Sequence, residues 1–175
     1  DWGEGTSKVD YALMYVSRFK ILRKAYERFR LNVPREYEVF CRYHAWWLED
    51  YALYMAIKDS LSGCSFDRWP DGLKFRVKSA IEAKRKELQD DVEFYKMLQF
   101  FFDRQWKALK TYANNKGIGI IGDIPIYTAY DSADVWANPE LFQLEKDLTP
   151  KAVAGCPPDA FSEDGQLWGN PLYNW

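Results

Sequence analysis

The stretch "GIGIIGDIPIYTAYDSADVW", residues 117–136, decides how the whole chain is interpreted. Gly117, Gly119 and Gly122 have the spacing of a dinucleotide-binding loop, and Asp123 follows the third glycine. Such a loop must follow a strand and open a helix, so that phosphate groups meet free N–H groups at the helix N-terminus. Here the glycines come after a helical segment, and the Ile-Pro that follows cannot open a helix. The order of elements therefore argues against a phosphate-binding loop.

The run from Ile118 to Ile126 is instead predicted to be a buried strand. Its apolar residues do not alternate with polar ones, which is typical of a parallel strand covered by helices on both faces. Gly117 suits the C-terminal cap of the preceding helix, and the other glycines suit a site where a helix packs closely. Asp123 falls near the C-terminal end of this strand, where α/β barrels place catalytic groups. The alternative is that Asp123 caps a turn.

The preceding residues, 8–113, are predicted to be almost wholly helical. Apolar side chains recur at steps of three and four, with charged residues between them. Ser7 and Asp10 have the spacing of a capping box, and Pro34 suits the first turn of a second helix. A long helix is predicted from about Asp91 to Ala113. We expect two regions: a helical one over 1–113, and one over 114–175 that holds the strand and a binding loop.

The remaining segments are predicted from their turn residues. "DSADVWANPELF" indicates a short helix capped by Asp131 or Ser132, with Asp131 and Asp134 as charges at its N-terminus. "QLEKDLTPKAVAG" resembles a hairpin, and "CPPDAFSEDGQLWGNPLYNW" is typical of a loop rich in proline, glycine and aromatic residues.

Composition excludes several classes of partner. The 24 basic and 26 acidic residues leave a formal charge of -2, and no basic stripe could neutralise a run of phosphates, which argues against nucleic acid. No segment approaches the roughly 20 apolar residues of a membrane span, so we expect a soluble protein without a membrane partner. Eight Trp, twelve Tyr and eleven Phe exceed what packing alone usually recruits, and some of them are expected to face a ligand.

The cysteines and the single histidine do not indicate a metal or cofactor site. The three cysteines form no C-x-x-C pair, and an odd number is a poor disulfide framework, which favours a reducing, cytoplasmic location. His44 lacks the partners that a catalytic triad or a metal cluster requires, so a surface or packing role is expected. The chain starts with Asp and ends within the aromatic run "GNPLYNW", so we expect an excerpt of a longer protein.

Four motifs of the last third together resemble one family. "IIGDIPIY", "DSADVWANPELF", "VAGCPPDAFS" and "GQLWGNPLYNW" follow the order found in glycoside hydrolase family 77, the amylomaltases or 4-alpha-glucanotransferases. The helical part resembles that family more loosely, most clearly in "WLEDYALYMAIKD". The resemblance implies an α/β fold, namely a fragment of a (β/α)8 TIM barrel of the alpha-amylase type with a helical insertion. It makes the run from Ile118 to Ile126 the third barrel strand.

The resemblance also implies a reaction and a substrate. The family transfers segments of α-1,4-glucan between maltooligosaccharide or starch-type chains with retention at the anomeric carbon. Retention requires a carboxylate nucleophile and a carboxylic acid/base about 5 Å apart. The family carries both on later barrel strands, so the resemblance implies no catalytic residue, cofactor or metal in this chain, which needs the remainder of the same polypeptide to complete the barrel.

Four residues are expected on the substrate side, by match to the family. Asp123 would contact a sugar hydroxyl or steady a catalytic neighbour, or be merely a structural carboxylate. Asp159 would bind sugar or form an Asx turn. Phe161 would be a sugar platform or a core anchor for the loop, and Trp168 would stack on a sugar ring or be buried in the barrel wall.

Two other functions stay open at this point. One is a carbohydrate-binding or interaction module that catalyses nothing. The other is an amylase-type hydrolase, in which water replaces the sugar acceptor.

Overall fold

A computed structural model of the protein describes residues 8–175, which form seven α-helices and one small sheet. The helices are α1 (Tyr11–Phe29), α2 (Arg35–Tyr43), α3 (Ala45–Ser60), α4 (Asp71–Lys74), α5 (Lys78–Glu87), α6 (Gln89–Asn115) and α7 (Ala133–Ala137). Single 3-10 turns cover Phe66–Arg68 and Pro139–Leu141, and the strands are β1 (Val153–Cys156) and β2 (Gln166–Pro171). The prediction of an almost wholly helical first part is confirmed for the described residues.

The helix ends differ from the predicted ones by a few residues. Asp10 is itself the N-cap of α1, because its Oδ1 accepts a hydrogen bond from the Leu13 N–H at 2.9 Å. Ser7, its proposed capping partner, lies outside the described residues. Pro34 precedes α2 instead of lying within its first turn. The long helix α6 continues beyond the core to Asn115, and Gly117 follows its end with a φ of 74°.

The core lies between α3 and α6. Apolar residues three to five positions apart place Leu48, Leu53 and Ile57 of α3 against Phe94 and Met97 of α6, and all five are fully buried. The short helix α7 enters the same core through Val135 and Trp136. The indole Nε1 of Trp136 donates a hydrogen bond to the Leu73 carbonyl at 2.9 Å. The residues after α6 are therefore fastened to the helical part through α7.

The strand predicted from Ile118 to Ile126 is absent from this structure, and that prediction needs correction. The segment is irregular, and Ile121 is 98% exposed. A Cβ added at Gly119 or Gly122 would meet no atom within 4 Å, so no helix packs closely on these glycines. A strand requires neighbouring strands to pair its N–H and C=O groups, and no described strand lies alongside this segment. Within residues 8–175 the fold is mostly helical, with one antiparallel pair of strands.

The predicted C-terminal loop also contains regular structure. β1 and β2 pair antiparallel, with Gly155 opposite Leu167, whereas the predicted hairpin over 143–155 is reduced to one bridge between Leu144 and Pro150. A Cβ at Gly155 would lie 2.5 Å from the Gln166 carbonyl oxygen, so only glycine fits the pairing. The sequence did not predict β2, because Gly169 within it and Pro171 at its end are residues typical of loops. No helix within residues 8–175 is both long and apolar enough to cross a bilayer.

Candidate functional site

Four aromatic side chains form a partly exposed cluster where the 118–132 segment meets β2. We call Tyr127, Trp168, Tyr173 and Trp175 the aromatic cluster. The Tyr127 ring centroid lies 6.0 Å from that of Trp168 and 6.2 Å from that of Tyr173. The ring planes of Tyr127 and Tyr173 differ by 10°, so these two rings are stacked. Trp175 lies 5.7 Å beyond Tyr173 and is fully exposed. The cluster presents flat apolar faces to the solvent.

Hydrogen bonds from β2 and the residues after it hold this arrangement. The Asn170 side-chain amide donates to the Thr128 carbonyl at 3.0 Å, and the hydroxyl groups of Thr128 and Tyr173 lie 3.3 Å apart. The indole Nε1 of Trp168 donates to Gln166 Oε1 at 3.0 Å, which fixes the ring relative to its own strand. Trp168 is 49% exposed, so one part of its surface stays available to a ligand.

A groove of about 350 Å³ runs beside the cluster. Its lining residues are Ile126, Tyr127, Gln143, Leu172, Tyr173 and Trp175. The volume is at the lower end of the range for small-molecule sites, and the lining combines aromatic faces with one amide. Such a surface suits a sugar ring, which has apolar C–H faces and polar edges. Tyr127 and Tyr173 were not predicted as site residues, although both lie in motifs that carried the family resemblance.

The loop between β1 and β2 carries two of the predicted site residues. Asp159 Oδ1 accepts hydrogen bonds from the N–H groups of Phe161 and Ser162, both at 2.8 Å, which is the geometry of an Asx turn. Phe161 is 95% exposed and therefore does not anchor the loop in the core. The turn aims an aromatic side chain outward, while the second Asp159 carboxylate oxygen is not used in the turn.

Asp123 makes no polar contact with these residues in the region that the structure describes. Its segment is irregular and exposed, and no hydrogen bond or ion pair within the described part of the chain joins it to Asp159, Phe161 or Trp168. The structure thus brings Trp168 together with Tyr127 and joins Phe161 to Asp159, but no hydrogen bond within residues 8–175 joins Asp123 or Trp168 to another of the four predicted residues. The roles of all four stay predictions.

Asp131 has contacts that the sequence did not reveal. It was expected to be a charge at the start of α7, capped by Asp131 or Ser132; Ser132 is the N-cap and accepts from the Val135 N–H at 3.3 Å. Asp131 instead accepts hydrogen bonds from the Tyr54 hydroxyl, from the Lys58 ammonium and, at 3.2 Å, from the Phe66 N–H. Burial acts to raise the pKa of Asp131, but these hydrogen bonds and the Lys58 charge outweigh it and leave the pKa lowered. The carboxylate ties the residues before α7 to α3.

His44 has a packing role, as expected. It separates α2 from α3, accepts a hydrogen bond at Nδ1 from the Trp47 indole at 3.2 Å, and packs against Phe40 with the two ring centroids 4.6 Å apart. Cys41, Cys64 and Cys156 are unpaired. Among residues 8–175, no group of three acidic, histidine or cysteine side chains could hold a metal ion.

Sequence comparison assigns relatives to nearly the whole chain. The family model described as 4-alpha-glucanotransferase, glycoside hydrolase 77, matches residues 3–175. A 4-alpha-glucanotransferase of Clostridium butyricum is 47% identical over all of this chain and 36% of its own length. That of Thermus thermophilus is 46% identical, again over all of this chain and 36% of its own length.

A solved structure agrees with these relatives. The amylomaltase from Streptococcus agalactiae in complex with acarbose superposes with a TM-score of 0.94 at 41% identity, over 99% of this chain and 36% of that one. The chain thus spans about a third of the length of the relatives it matches. Because the family model covers 173 residues of the 175, from 3 to 175, the chain belongs to the glycoside hydrolase 77 family of 4-alpha-glucanotransferases.

Proposed function

We propose that this chain is the substrate-side part of a 4-alpha-glucanotransferase that moves α-1,4-glucan segments between maltooligosaccharides with retention. The observation that carries the proposal is the structural match to an amylomaltase, at a TM-score of 0.94 and 41% identity. The acarbose complex of that relative supports a carbohydrate ligand. Activity belongs to the whole enzyme, because the chain corresponds to only 36% of the length of the Clostridium butyricum relative.

The chain's own contribution in this proposal is to bind and orient glucan. Trp168 stacks on a sugar ring beside Tyr127, and Phe161 adds a second apolar face from its loop. Asp159 and Asp123 accept hydrogen bonds from sugar hydroxyl groups, Asp123 near the reacting bond. The nucleophile and the acid/base, about 5 Å apart in a retaining enzyme, come from other parts of the polypeptide.

The exposed apolar residues after the core support the barrel that the family resemblance implies. The isoleucines of the 118–126 segment are exposed, as are Phe102 in the middle of α6 and Leu109 and Tyr112 on its last turns. We propose that strands from the remaining polypeptide pair with 118–126 and make it the third strand of a (β/α)8 barrel. Such pairing would bury the isoleucines and satisfy their backbone groups. A cytoplasmic location stays a prediction from the cysteine pattern.

Product analysis of the complete enzyme with maltotriose tests the proposed reaction. Transfer converts two maltotriose molecules into glucose and maltopentaose, so longer maltodextrins accumulate together with glucose. Accumulation of glucose and maltose without longer products would identify a hydrolase. Binding of maltotriose without any conversion would identify a carbohydrate-binding module, and either result would overturn the proposal.

A further inference from the structure

A second groove, which shares no lining residue with the aromatic cluster, lies between the start of α3 and α7. We call it the α3–α7 groove, and its volume is about 330 Å³. The lining residues are Trp46, Trp47, Asp50, Tyr51, Ala133, Asp134, Ala137, Asn138 and Leu141. Three aromatic side chains therefore line one wall, and two carboxylates and an amide lie among the other lining residues.

Trp46 is the most unusual of these residues. Its side chain is 82% exposed at the second position of α3, although an indole is among the side chains that gain most from burial. Its neighbour Trp47 is held in place, because its N–H donates to His44 Nδ1 at 3.2 Å and its ring lies 6.1 Å from that of Tyr51. The groove thus has a fixed aromatic wall with an exposed indole at its edge, and exposed aromatic surface of this kind is found at ligand-binding grooves.

The polar lining residues decide the chemistry of the ligand. Asp134 is exposed in the first turn of α7, and the Asn138 side-chain amide has only a 3.5 Å contact with the Asp134 carbonyl. Asp50 is oriented by a hydrogen bond from Arg76 at 2.7 Å. The lining residues include no lysine, arginine or histidine, so nothing in the lining would balance an anionic ligand. A neutral ligand with many hydroxyl donors and apolar faces fits this set of side chains.

We infer that the α3–α7 groove binds a segment of α-glucan, with Trp46 stacking on a sugar ring and Asp134 and Asn138 bonding its hydroxyl groups. The choice of α-glucan among neutral polyols rests on the proposed function. A volume of about 330 Å³ accommodates one or two sugar rings but not a packed helix, which needs about 10 Å of diameter along its length.

The test measures the binding of soluble amylopectin to the complete enzyme by affinity electrophoresis. Replacing Trp46 with alanine should weaken retention about tenfold, as the loss of one stacked ring predicts. Trp46→Phe keeps a flat face and should restore most of the retention. Tyr43→Ala is the matched control, since Tyr43 is 77% exposed but does not line the groove, and it should bind as the unchanged enzyme does. Asp134→Ala tests the polar side independently and should also weaken retention.

Each contrary result has a distinct meaning. Unchanged retention of Trp46→Ala, or an equal loss in Tyr43→Ala, would overturn the inference. So would a melting temperature lowered by many degrees in Trp46→Ala with retention unchanged in Asp134→Ala, since Trp46 would then be covered by another part of the polypeptide. Failure of the proposed function shows separately, because the unchanged enzyme would then produce no maltopentaose from maltotriose.

Discussion

Trp168 lies half-exposed on β2, with its indole N–H already donated to Gln166, so its remaining value to a ligand is a flat apolar face. A sugar ring covering that face removes about as much apolar surface as the burial of a modest side chain, on the order of 1 to 2 kcal/mol. Trp168→Ala in the complete enzyme should therefore weaken maltooligosaccharide binding about tenfold. Ground and transition states share this contact, so we expect KM to rise more than kcat falls.

Steady-state kinetics on maltotriose and thermal unfolding check this prediction together. Phe161→Ala is the companion variant, and it should weaken binding without loss of stability because its side chain is 95% exposed. A buried Trp would instead cost about 3 to 5 kcal/mol of folding stability on truncation. Unchanged affinity with a much lower melting temperature would show that Trp168 is a buried structural residue and does not bind sugar.

Asp123 gives a prediction of a different kind, in which the rate changes and stability does not. A carboxylate at the end of a strand that faces the substrate cleft contributes little to folding stability, so Asp123→Asn in the complete enzyme should alter the melting temperature little. An electrostatic or orienting contact in an active site is worth on the order of 100-fold in rate, and we expect kcat to fall by about that factor. Normal turnover combined with a large loss of stability would instead support a structural carboxylate.

At the level of single residues, the sequence indicated which side chains could bind sugar, but it did not indicate which residues they contact. Trp168 was predicted as a stacking residue, and the structure places it beside Tyr127, which was not predicted. For Asp159, either sugar binding or an Asx turn was consistent with the sequence, and the turn is present. The contacts of Asp131 could not be predicted, because they depend on Tyr54 and Lys58, more than 70 residues earlier in the chain.

At the level of elements, local signals located the helices well and the strands poorly. Periodicity and Gly117 predicted α6 and its end, because those features depend on nearby residues. No strand forms over 118–126 in this chain, because strand pairing depends on partners distant in sequence. β2 was missed because Gly169 and Pro171 are typical of loops.

The contacts of Asp131, just before α7, with Tyr54 and Lys58 of α3 predict an effect on folding stability. Replacing Asp131 with asparagine removes a charged acceptor of three hydrogen bonds and should destabilise the enzyme by about 2 kcal/mol at pH 7. Asp134→Asn is the matched control, since that carboxylate lies three residues further on and is exposed in the first turn of α7, and it should change stability by at most about 0.5 kcal/mol.

The stability lost in Asp131→Asn should also depend on pH. The pKa of Asp131 is lowered in the folded protein, so its stabilising effect is present above its unfolded pKa of about 3.9 and is lost as pH falls further. The gap in unfolding temperature between Asp131→Asn and the unchanged enzyme should therefore be full at pH 7 and shrink below about pH 4. A gap that is the same at pH 3 and pH 7 would contradict the charge-based account.

At the level of the whole molecule, the chain combines a buried apolar core with a set of apolar side chains that are exposed. α3, α6 and α7 bury a common set of apolar residues, whereas the last turns of α6 and the 118–126 segment leave theirs exposed. The family could be predicted from the motifs of the last third of the chain, and the helical first part could be predicted from the periodicity of its apolar residues. The proposed barrel needs strands beyond this chain, which spans about a third of the length of the relatives it matches.

We propose that this chain binds glucan while the catalytic carboxylates lie elsewhere in the enzyme. The direct measurement incubates purified residues 1–175 and, separately, the complete enzyme with maltotriose, and follows glucose and maltopentaose by chromatography. We predict conversion by the complete enzyme and only background conversion by residues 1–175, because proximity cannot act through absent catalytic groups. Conversion of maltotriose to glucose and longer maltodextrins by residues 1–175 alone would contradict the account and would make Asp123 a candidate for a catalytic residue.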